Sequence, residues 1–429
     1  MVGDRFVIEG GHRLEGVVRI SGAKNAALPA IAAALLTSDD CILEDVPDIE
    51  DVAVMSEVLR RLGATVEWLG QGRVRINAAR IHTLAAPSEL VVRNRASFVV
   101  MGPLLGRFGE AACCPPGGDV IGERPLDVHL AGFRALGATI SRFEDKYRAQ
   151  APRLQGTRIF LDYPSVLGTE NILLAACMAH GRTVVCNAAA EPEVSFLAGM
   201  LNSMGARITG AGSNIIEIEG VPELHGTTTT VIPDRIEAGT FACAAAISCG
   251  EVVLENVVPR HLDALIWKLR EAGAVIEVGE RTLQVRPSRD LQGVTVQALP
   301  YPGFATDLQS VFGALLTQAH GMSIIHERVY DNRLLYVGEL RKMGANVVVA
   351  GQTAIINGPT SLAGAAVRAL DIRSGAAVVL AGLAAHGVTD VGDVYHLDRG
   401  YEHFAEKLQG LGAHIRRVSS KAQLTSPTR

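Results

Sequence analysis

VAVMSEVLRRLGATVEWLGQGRVRI, residues 52–76, holds a helix, its stop and two strands in one run. The segment VAVMSEVLRRL reads as the helix and Gly63 as its left-handed C-cap. Thr65, Val66, Glu67 and Trp68 then alternate as a half-buried strand, and a Gly-containing turn leads to a second one. The tripeptide at 62–64, LGA, recurs as LGA at 136, MGA at 204, AGA at 272, MGA at 343 and LGA at 411. Its glycines, Gly63, Gly137, Gly205, Gly273, Gly344 and Gly412, lie 74, 68, 68, 71 and 68 residues apart. Spacing this regular makes the chain six copies of a unit of roughly 70 residues. Each copy reads as an Ala-rich helix (KNAALPAIAAALLT from Lys24 in the first), a short strand, a second helix and two strands. The fold class is therefore α/β, with the order α, β, α, β, β in each repeat.

Six repeats divide into two lobes of three, 22–231 and 1–21 plus 232–429, with the TTTT run at 227–230 as the expected hinge. RFVIEG and VVRIS, within residues 1–21, read as two strands of a permuted repeat that would complete the last unit of the second lobe. Two chain crossings permit hinged closure that excludes water from a ligand. The first helix of each repeat begins near Lys24, Arg95, Thr169, Asp234, Asp307 or Arg373 and is almost free of charge beyond its first turn. Such helices belong in the interior. Any one of these polar starts alone would be an ordinary cap. Buried unpaired charge is costly, so six together should line a polar site. Helix N-termini there offer free amide donors and partial positive charge, which suits a phosphorylated substrate.

The composition narrows the choices. With 429 residues, 48% hydrophobic and 20% charged, the chain is of ordinary soluble globular type. Forty Lys plus Arg against 45 Asp plus Glu give a net charge of -5, and 11 Phe, 7 Tyr and 2 Trp leave few stacking platforms. Neither nucleic acid nor a membrane is an expected partner. The start, MVGDRFVIEGGHRLEG, lacks the basic and apolar regions of a signal peptide, and no apolar run approaches the roughly 18 residues of a spanning helix, so a cytoplasmic protein is expected, as monomer or weak homo-oligomer. The seven cysteines form no CxxC pair. Cys177, Cys243 and Cys249 sit in Ala-rich helical stretches, Cys41 and Cys186 in strand-like runs, and all read as reduced core residues. For the adjacent Cys113 and Cys114, buried strand packing is favoured over reactivity. No P-loop, GxGxxG or HExxH motif is present, which leaves ATP hydrolysis, dinucleotide redox and metal hydrolysis without support.

The chemistry-bearing segments arrive in order: SGAKNAALP (21–29), PPGGDVIGERPLDVH (115–129), PDRIEAGT (233–240), TDLQ (306–309), DNR (331–333), DIRSG (371–375) and HLDRGYE (396–402). Over nearly its whole length the sequence resembles the UDP-N-acetylglucosamine enolpyruvyl transferases, of the superfamily that also holds the shikimate-pathway enolpyruvyl transferase. The resemblance implies a two-lobed inside-out α/β barrel of six βαβαββ repeats, three per lobe, closing over substrates. It also implies transfer of the enolpyruvyl group of phosphoenolpyruvate to the 3-hydroxyl of UDP-N-acetylglucosamine, with release of phosphate and with no metal and no cofactor. In such a reaction the methylene carbon takes a proton, the sugar hydroxyl attacks to give a tetrahedral phosphate ketal, and proton loss expels phosphate.

Carried over by position, the resemblance makes Lys24 the cation on phosphoenolpyruvate and has Asn25 hold the sugar. Arg124 and Arg399 match the other arginines on phosphoenolpyruvate. Arg333 and Arg373 match positions near the substrate carboxylate or the closing cleft. Arg95, in NRAS, resembles the position reaching the sugar nucleotide, with Arg93 peripheral. Asp307 matches the carboxylate beside the sugar 3-hydroxyl and is the candidate general base. Asp234, with Arg235 beside it, is a supporting cleft carboxylate, and His396 and Asp398 flank Arg399. Pro125, Leu126, Asp127 and His129 match positions on the uridine part, Ser165, Val166 and Gly168 the loop on the diphosphate, and Val329 a further substrate contact.

Asp119 is the informative departure. Many members of the family carry cysteine at this position of the mobile loop 113–126, where it protonates substrate and is alkylated by the epoxide antibiotic fosfomycin; others carry Asp. A carboxylic acid donates the same proton if closure raises its pKa. Carboxylate is a far weaker nucleophile than thiolate, so fosfomycin resistance is expected. Leu167 in PSVLGTEN, where glycine is usual, and Ala305 in FATDLQ, where proline is common, also depart from the pattern. The shikimate-pathway relative, which would show a GSKSxxNR-type loop, and a non-catalytic UDP-sugar-binding paralogue remain the alternatives.

Overall fold

The computed structural model describes residues 3–119, 121–122, 125–288 and 290–419. The chain forms two compact units: a first of Gly22–Gly118 and Arg124–Ile232, and a second of Met1–Ser21, Asp119–Glu123 and Pro233–Arg429. Asp119, Ile121 and Gly122 thus pack with the second unit, although the sequence around them belongs to the first.

All six repeat glycines take positive φ, from 90° at Gly273 to 114° at Gly63, and each ends the second helix of its repeat. Every repeat builds its own small sheet, four-stranded in five cases and three-stranded in one. In the fifth repeat, Thr295–Ala298 runs parallel to Gly321–Glu327, while the hairpin Val347–Ala350 and Thr353–Gly358 adds antiparallel strands. A leading parallel strand therefore precedes the α, β, α, β, β order, making each unit βαβαββ. In the second repeat the isolated parallel bridge Ala85 to Ala112 stands where the leading strand would be.

Permutation departs from expectation in two places. Arg5–Glu9 does enter the last repeat, between Val388–Gly392 and His414–Val418, but Glu15–Arg19 leads the fourth repeat, parallel to Glu251–Glu255. The two N-terminal strands therefore serve two different sheets. Thr228–Thr230, expected as a hinge, is the leading strand of the first repeat, parallel to Asp40–Glu44. The physical reason is shared: a short β-branched or alternating run states that it will pair, and only the open edge of a distant sheet states with what.

The first helices, in chain order, are α1 (Lys24–Ala33), α2 (Met101–Phe108), α3 (Val166–Ala176), α4 (Arg235–Ile247), α5 (Thr306–Leu316) and α6 (Ile372–Ala384). In the second repeat a 3-10 turn, Arg95–Val100, precedes α2. Helices α4, α5 and α6 pack on one another inside the second unit, and α2 packs on α3 inside the first. Each unit is thus inside-out, with helices central and sheets around them. Small residues allow the close approach: a Cβ on Gly102 of α2 would fall 2.4 Å from the Asn171 carbonyl of α3. Among the described residues no helix is long and apolar enough to cross a membrane.

The cysteines are free, and all but the half-buried Cys249, which lies beyond the end of α4, are buried. Burial pushes the Cys41 and Cys177 thiols up to about 11 and about 12. It raises Cys113 and Cys114 as well, so these side chains are packing groups.

Candidate active site

In the second unit three helix starts converge. Asp234 caps α4, its Oδ1 accepting from the amides of Ile236 (2.7 Å) and Glu237 (3.1 Å). Asp371 caps α6 in a capping box with Ser374. Asp307, in the first turn of α5, accepts from Arg333 Nη2 at 2.7 Å and from Arg373 Nε at 3.2 Å. Both arginine side chains are 4% exposed, against 25% for Asp307, so the carboxylate is the accessible member of the trio. Burial works against the charge of Arg373, but Tyr401, Asp307 and Asp234 outweigh it and hold the guanidinium above its ordinary value. Arg333 is likewise raised, with Asp307, Asp371 and Tyr330 outweighing its desolvation. Arg373 Nη1 is buried without a hydrogen-bond partner among the described residues, a donor suited to an incoming anion.

Asp119 is held in the same unit. Arg399 Nη1 donates to its Oδ1 at 2.5 Å, with both side chains mostly buried. The loop behind it docks on the DNR turn: the Asn332 amide donates to the Ile121 carbonyl at 3.3 Å. Gly122 has φ +121°, and a Cβ there would fall 1.9 Å from Asp331 Oδ1, so glycine is required for this approach. His396 lies in the field of both groups; desolvation lowers its pKa, Asp119 raises it and Arg399 lowers it further.

The first unit carries a second set. Lys24, the first residue of α1, places Nζ 2.7 Å from Asp51 Oδ2, with Asp51 2% exposed and Asn25 half-buried beside it. Arg95 donates to the Pro125 carbonyl at 3.3 Å, and Arg93 pairs with Glu50 on the surface. Asp127 accepts from the Tyr163 hydroxyl at 2.9 Å, and Ser165 caps α3 through the Gly168 amide at 3.2 Å. A Cβ on Gly168 would fall 2.6 Å from Val128 Cγ1, so this contact seats 125–128 against 165–168. Leu126 and Val166 are half-buried in this cluster. His129 does not join the accessible set. It is 3% exposed, bonded through Nδ1 to Asn171 at 3.0 Å and edge-on to Phe98. Burial, with Arg95 adding to it and Asp127 opposing, pushes the imidazole down to about 3, which makes it a neutral packing group. Arg124 lies outside the described residues.

The family described as EPSP synthase (3-phosphoshikimate 1-carboxyvinyltransferase) matches the chain over residues 8–408. The chain belongs to the EPSP synthase family. It is a transferase, as are its named relatives. UDP-N-acetylglucosamine 1-carboxyvinyltransferase 2 of Carboxydothermus hydrogenoformans is 52% identical over 97% of this chain and all of its own length. The enzyme of Gluconacetobacter diazotrophicus named UDP-N-acetylglucosamine 1-carboxyvinyltransferase is 50% identical over 97% of this chain and 99% of its own. Among solved structures, the enolpyruvyl transferase NikO from Streptomyces tendae aligns with a TM-score of 0.89 at 28% identity, over 98% of this chain and all of that one. The EPSP synthase from Acinetobacter baumannii shares the fold, with a TM-score of 0.78 at 20% identity over 97% of this chain and all of its own.

Within this EPSP synthase family chain, several positioning groups escape sequence reading. Glu327, fully buried, accepts from Thr306 Oγ1 (2.8 Å) and from the amide of Val329 (2.7 Å), tying the start of α5 to the predicted contact Val329. Tyr401 lays its ring 5.1 Å from the Arg373 guanidinium carbon and bonds Thr240 at 2.9 Å. Lys407 donates to Glu237 Oε1 at 2.5 Å and to Ser21 Oγ at 2.6 Å, and the Ser21 hydroxyl also bonds Glu402. The one available signal was GYE after Arg399, a buried-type aromatic next to a charge.

Proposed function

We propose that the chain transfers the enolpyruvyl group of phosphoenolpyruvate to the 3-hydroxyl of UDP-N-acetylglucosamine, releasing phosphate, and so opens peptidoglycan precursor synthesis. The observation that carries the reading is a carboxylate, Asp307, presented between two buried arginines in a chain about half identical to enzymes named for this reaction. Asp119 gives a proton to the methylene carbon from its acid form, which it reaches once the phosphoenolpyruvate anion takes over the Arg399 guanidinium that otherwise holds it as carboxylate. Asp307 takes the proton of the 3-hydroxyl as its oxygen bonds to C2, forming the tetrahedral ketal. The Asp119 carboxylate takes a methyl proton back, the double bond re-forms, and the C–O bond to phosphate breaks with its electron pair leaving on phosphate. Arg373, Arg333 and Arg399 are assigned the fixed positive charge for carboxylate and phosphate, a role that the resemblance also gives to Lys24. Asn25, Arg95 and the 125–128 and 165–168 segments hold the sugar nucleotide, and Arg124 joins the phosphoenolpyruvate cations. No metal or organic cofactor enters these steps.

Phosphate release from phosphoenolpyruvate tests the reading, with UDP-N-acetylglucosamine or shikimate 3-phosphate as acceptor, each with and without fosfomycin. Turnover with the sugar nucleotide alone, undiminished by the antibiotic, is expected. Turnover with shikimate 3-phosphate would reassign the acceptor, and binding of UDP-sugar without turnover would make the chain a non-catalytic paralogue. Asp119→Cys is expected to become fosfomycin-sensitive, because the thiolate opens the epoxide that carboxylate attacks slowly. A resistant Asp119→Cys enzyme with intact turnover would remove Asp119 from the assigned position.

A further inference from the structure

We infer that Glu9, His12 and His414 bind a divalent first-row transition ion, such as Zn²⁺, where the N-terminal strand enters the sixth repeat. Among the described residues this is the group of three potential ligands whose donor atoms come close together, all within 4.8 Å of one another. The antiparallel register sets Glu9 directly across from His414, with His414 Nδ1 3.6 Å from Glu9 Oε2. His12 lies three residues beyond the end of that strand and is returned to it by a constrained loop.

The loop is held by backbone bonds from Gly10 to Gly387 (3.2 Å), Gly11 to Leu383 (2.8 Å) and Glu15 to Leu411 (2.9 Å). A Cβ on Gly10 would fall 2.2 Å from the Ala385 carbonyl, so the chain passes here only as glycine. Gly11 then turns at φ +85° and delivers the His12 imidazole onto that of His414, ring centroids 3.6 Å apart at 25°. The backbone is therefore tied in place while Glu9 and His414 remain exposed and His12 half-buried.

Zinc bonds of roughly 2.0–2.1 Å to nitrogen and oxygen set tetrahedral donors about 3.3–3.5 Å apart. Closing the set to that distance requires the two stacked imidazoles to turn apart so that both ring planes pass through the ion, and the exposed members supply the movement: Glu9 and His414 side chains are 64% and 56% exposed, against half-buried His12. Two imidazole nitrogens and one carboxylate suit zinc, cobalt or nickel, and suit magnesium or calcium poorly, since these take oxygen shells. With three protein donors on an open face, water completes the coordination. The ion would join the strand Arg5–Glu9 to the strand His414–Val418 and stabilise the folded second unit by linkage. None of the three residues belongs to the machinery of the proposed reaction, so this site stands or falls apart from it.

The test uses untagged, chelator-stripped full-length protein titrated with Zn²⁺ by calorimetry and with Co²⁺ by visible absorption. One bound equivalent is expected, with a rise in melting temperature. In His12→Ala and in His414→Ala the affinity should drop by about tenfold or more, with metal-free melting temperature and phosphate release unchanged. Equal affinity and stoichiometry in the wild type and the His12→Ala/His414→Ala double variant, or no binding at about 100 µM Zn²⁺, would overturn the inference.

Discussion

Glu237→Gln should make the protein more stable at alkaline pH and flatten its stability profile between pH 5 and 8. Glu237 is fully enclosed in the first turn of α4; burial raises its carboxyl to about 7, against the opposing pull of Lys407, with Asp234 nearby raising it further. The ordinary value is 4.5. Between these two values the unfolded chain has released the proton while the folded chain retains it. Folding then binds a proton, and stability falls as pH rises. At about 1.4 kcal/mol per unit, the span from pH 5 to pH 8 contributes roughly 2–3 kcal/mol of lost stability from this group alone. Gln cannot titrate and, like the protonated acid, keeps a single carbonyl oxygen for Lys407 Nζ, while its other polar atom, a donor, faces the Ser21 amide that donates to Glu237 Oε2 at 3.1 Å in the wild type. Urea unfolding of wild type and variant at pH 5 and pH 8 measures the difference. The variant should lie within about 1 kcal/mol of wild type at pH 5 and gain about 2 kcal/mol relative to it at pH 8. Parallel pH profiles would refute the argument, because they would mean that Glu237 has the same proton affinity folded and unfolded.

Lys24→Met takes the cation from the buried Asp51 carboxylate and should cost about 3 kcal/mol in urea unfolding as well as turnover. The double variant Lys24→Met/Asp51→Leu should recover stability but not phosphate release, which separates the ion pair from the chemistry. Tyr401→Phe keeps the ring on Arg373 but loses the hydroxyl's bonds to Thr240 and to the Arg373 guanidinium, so about 1–2 kcal/mol of stability should go, with a smaller rise in KM for phosphoenolpyruvate than in Tyr401→Ala. Tyr401→Ala frees Arg373 and should raise the KM for phosphoenolpyruvate more than it lowers kcat in the same phosphate assay.

How much of this was legible beforehand varies with the range of the interaction. The repeat glycines, the helix starts and the βα alternation are local: a left-handed C-cap or an apolar period is decided by residues within a few positions of one another. Asp307 and Arg373 stand out this way as polar residues that open apolar helices; their roles come from the resemblance. His129, read as a uridine contact, is packed away against Phe98 and Asn171, since a helix start says nothing about which neighbour covers it.

By itself, the sequence determined the six α/β repeats, the apolar central helices and the charged groups at their first turns, all consequences of backbone sterics and hydrophobic period. Tertiary structure alone decided which sheet each stray strand completes, that Arg399 meets Asp119 across 280 residues, and that Ser21 is tied to Glu237 across 216. Partners so far apart in the chain leave no periodic trace. They are chosen by open sheet edges and by the need of each buried charge for a counter-charge, conditions that exist only once the chain has closed on itself.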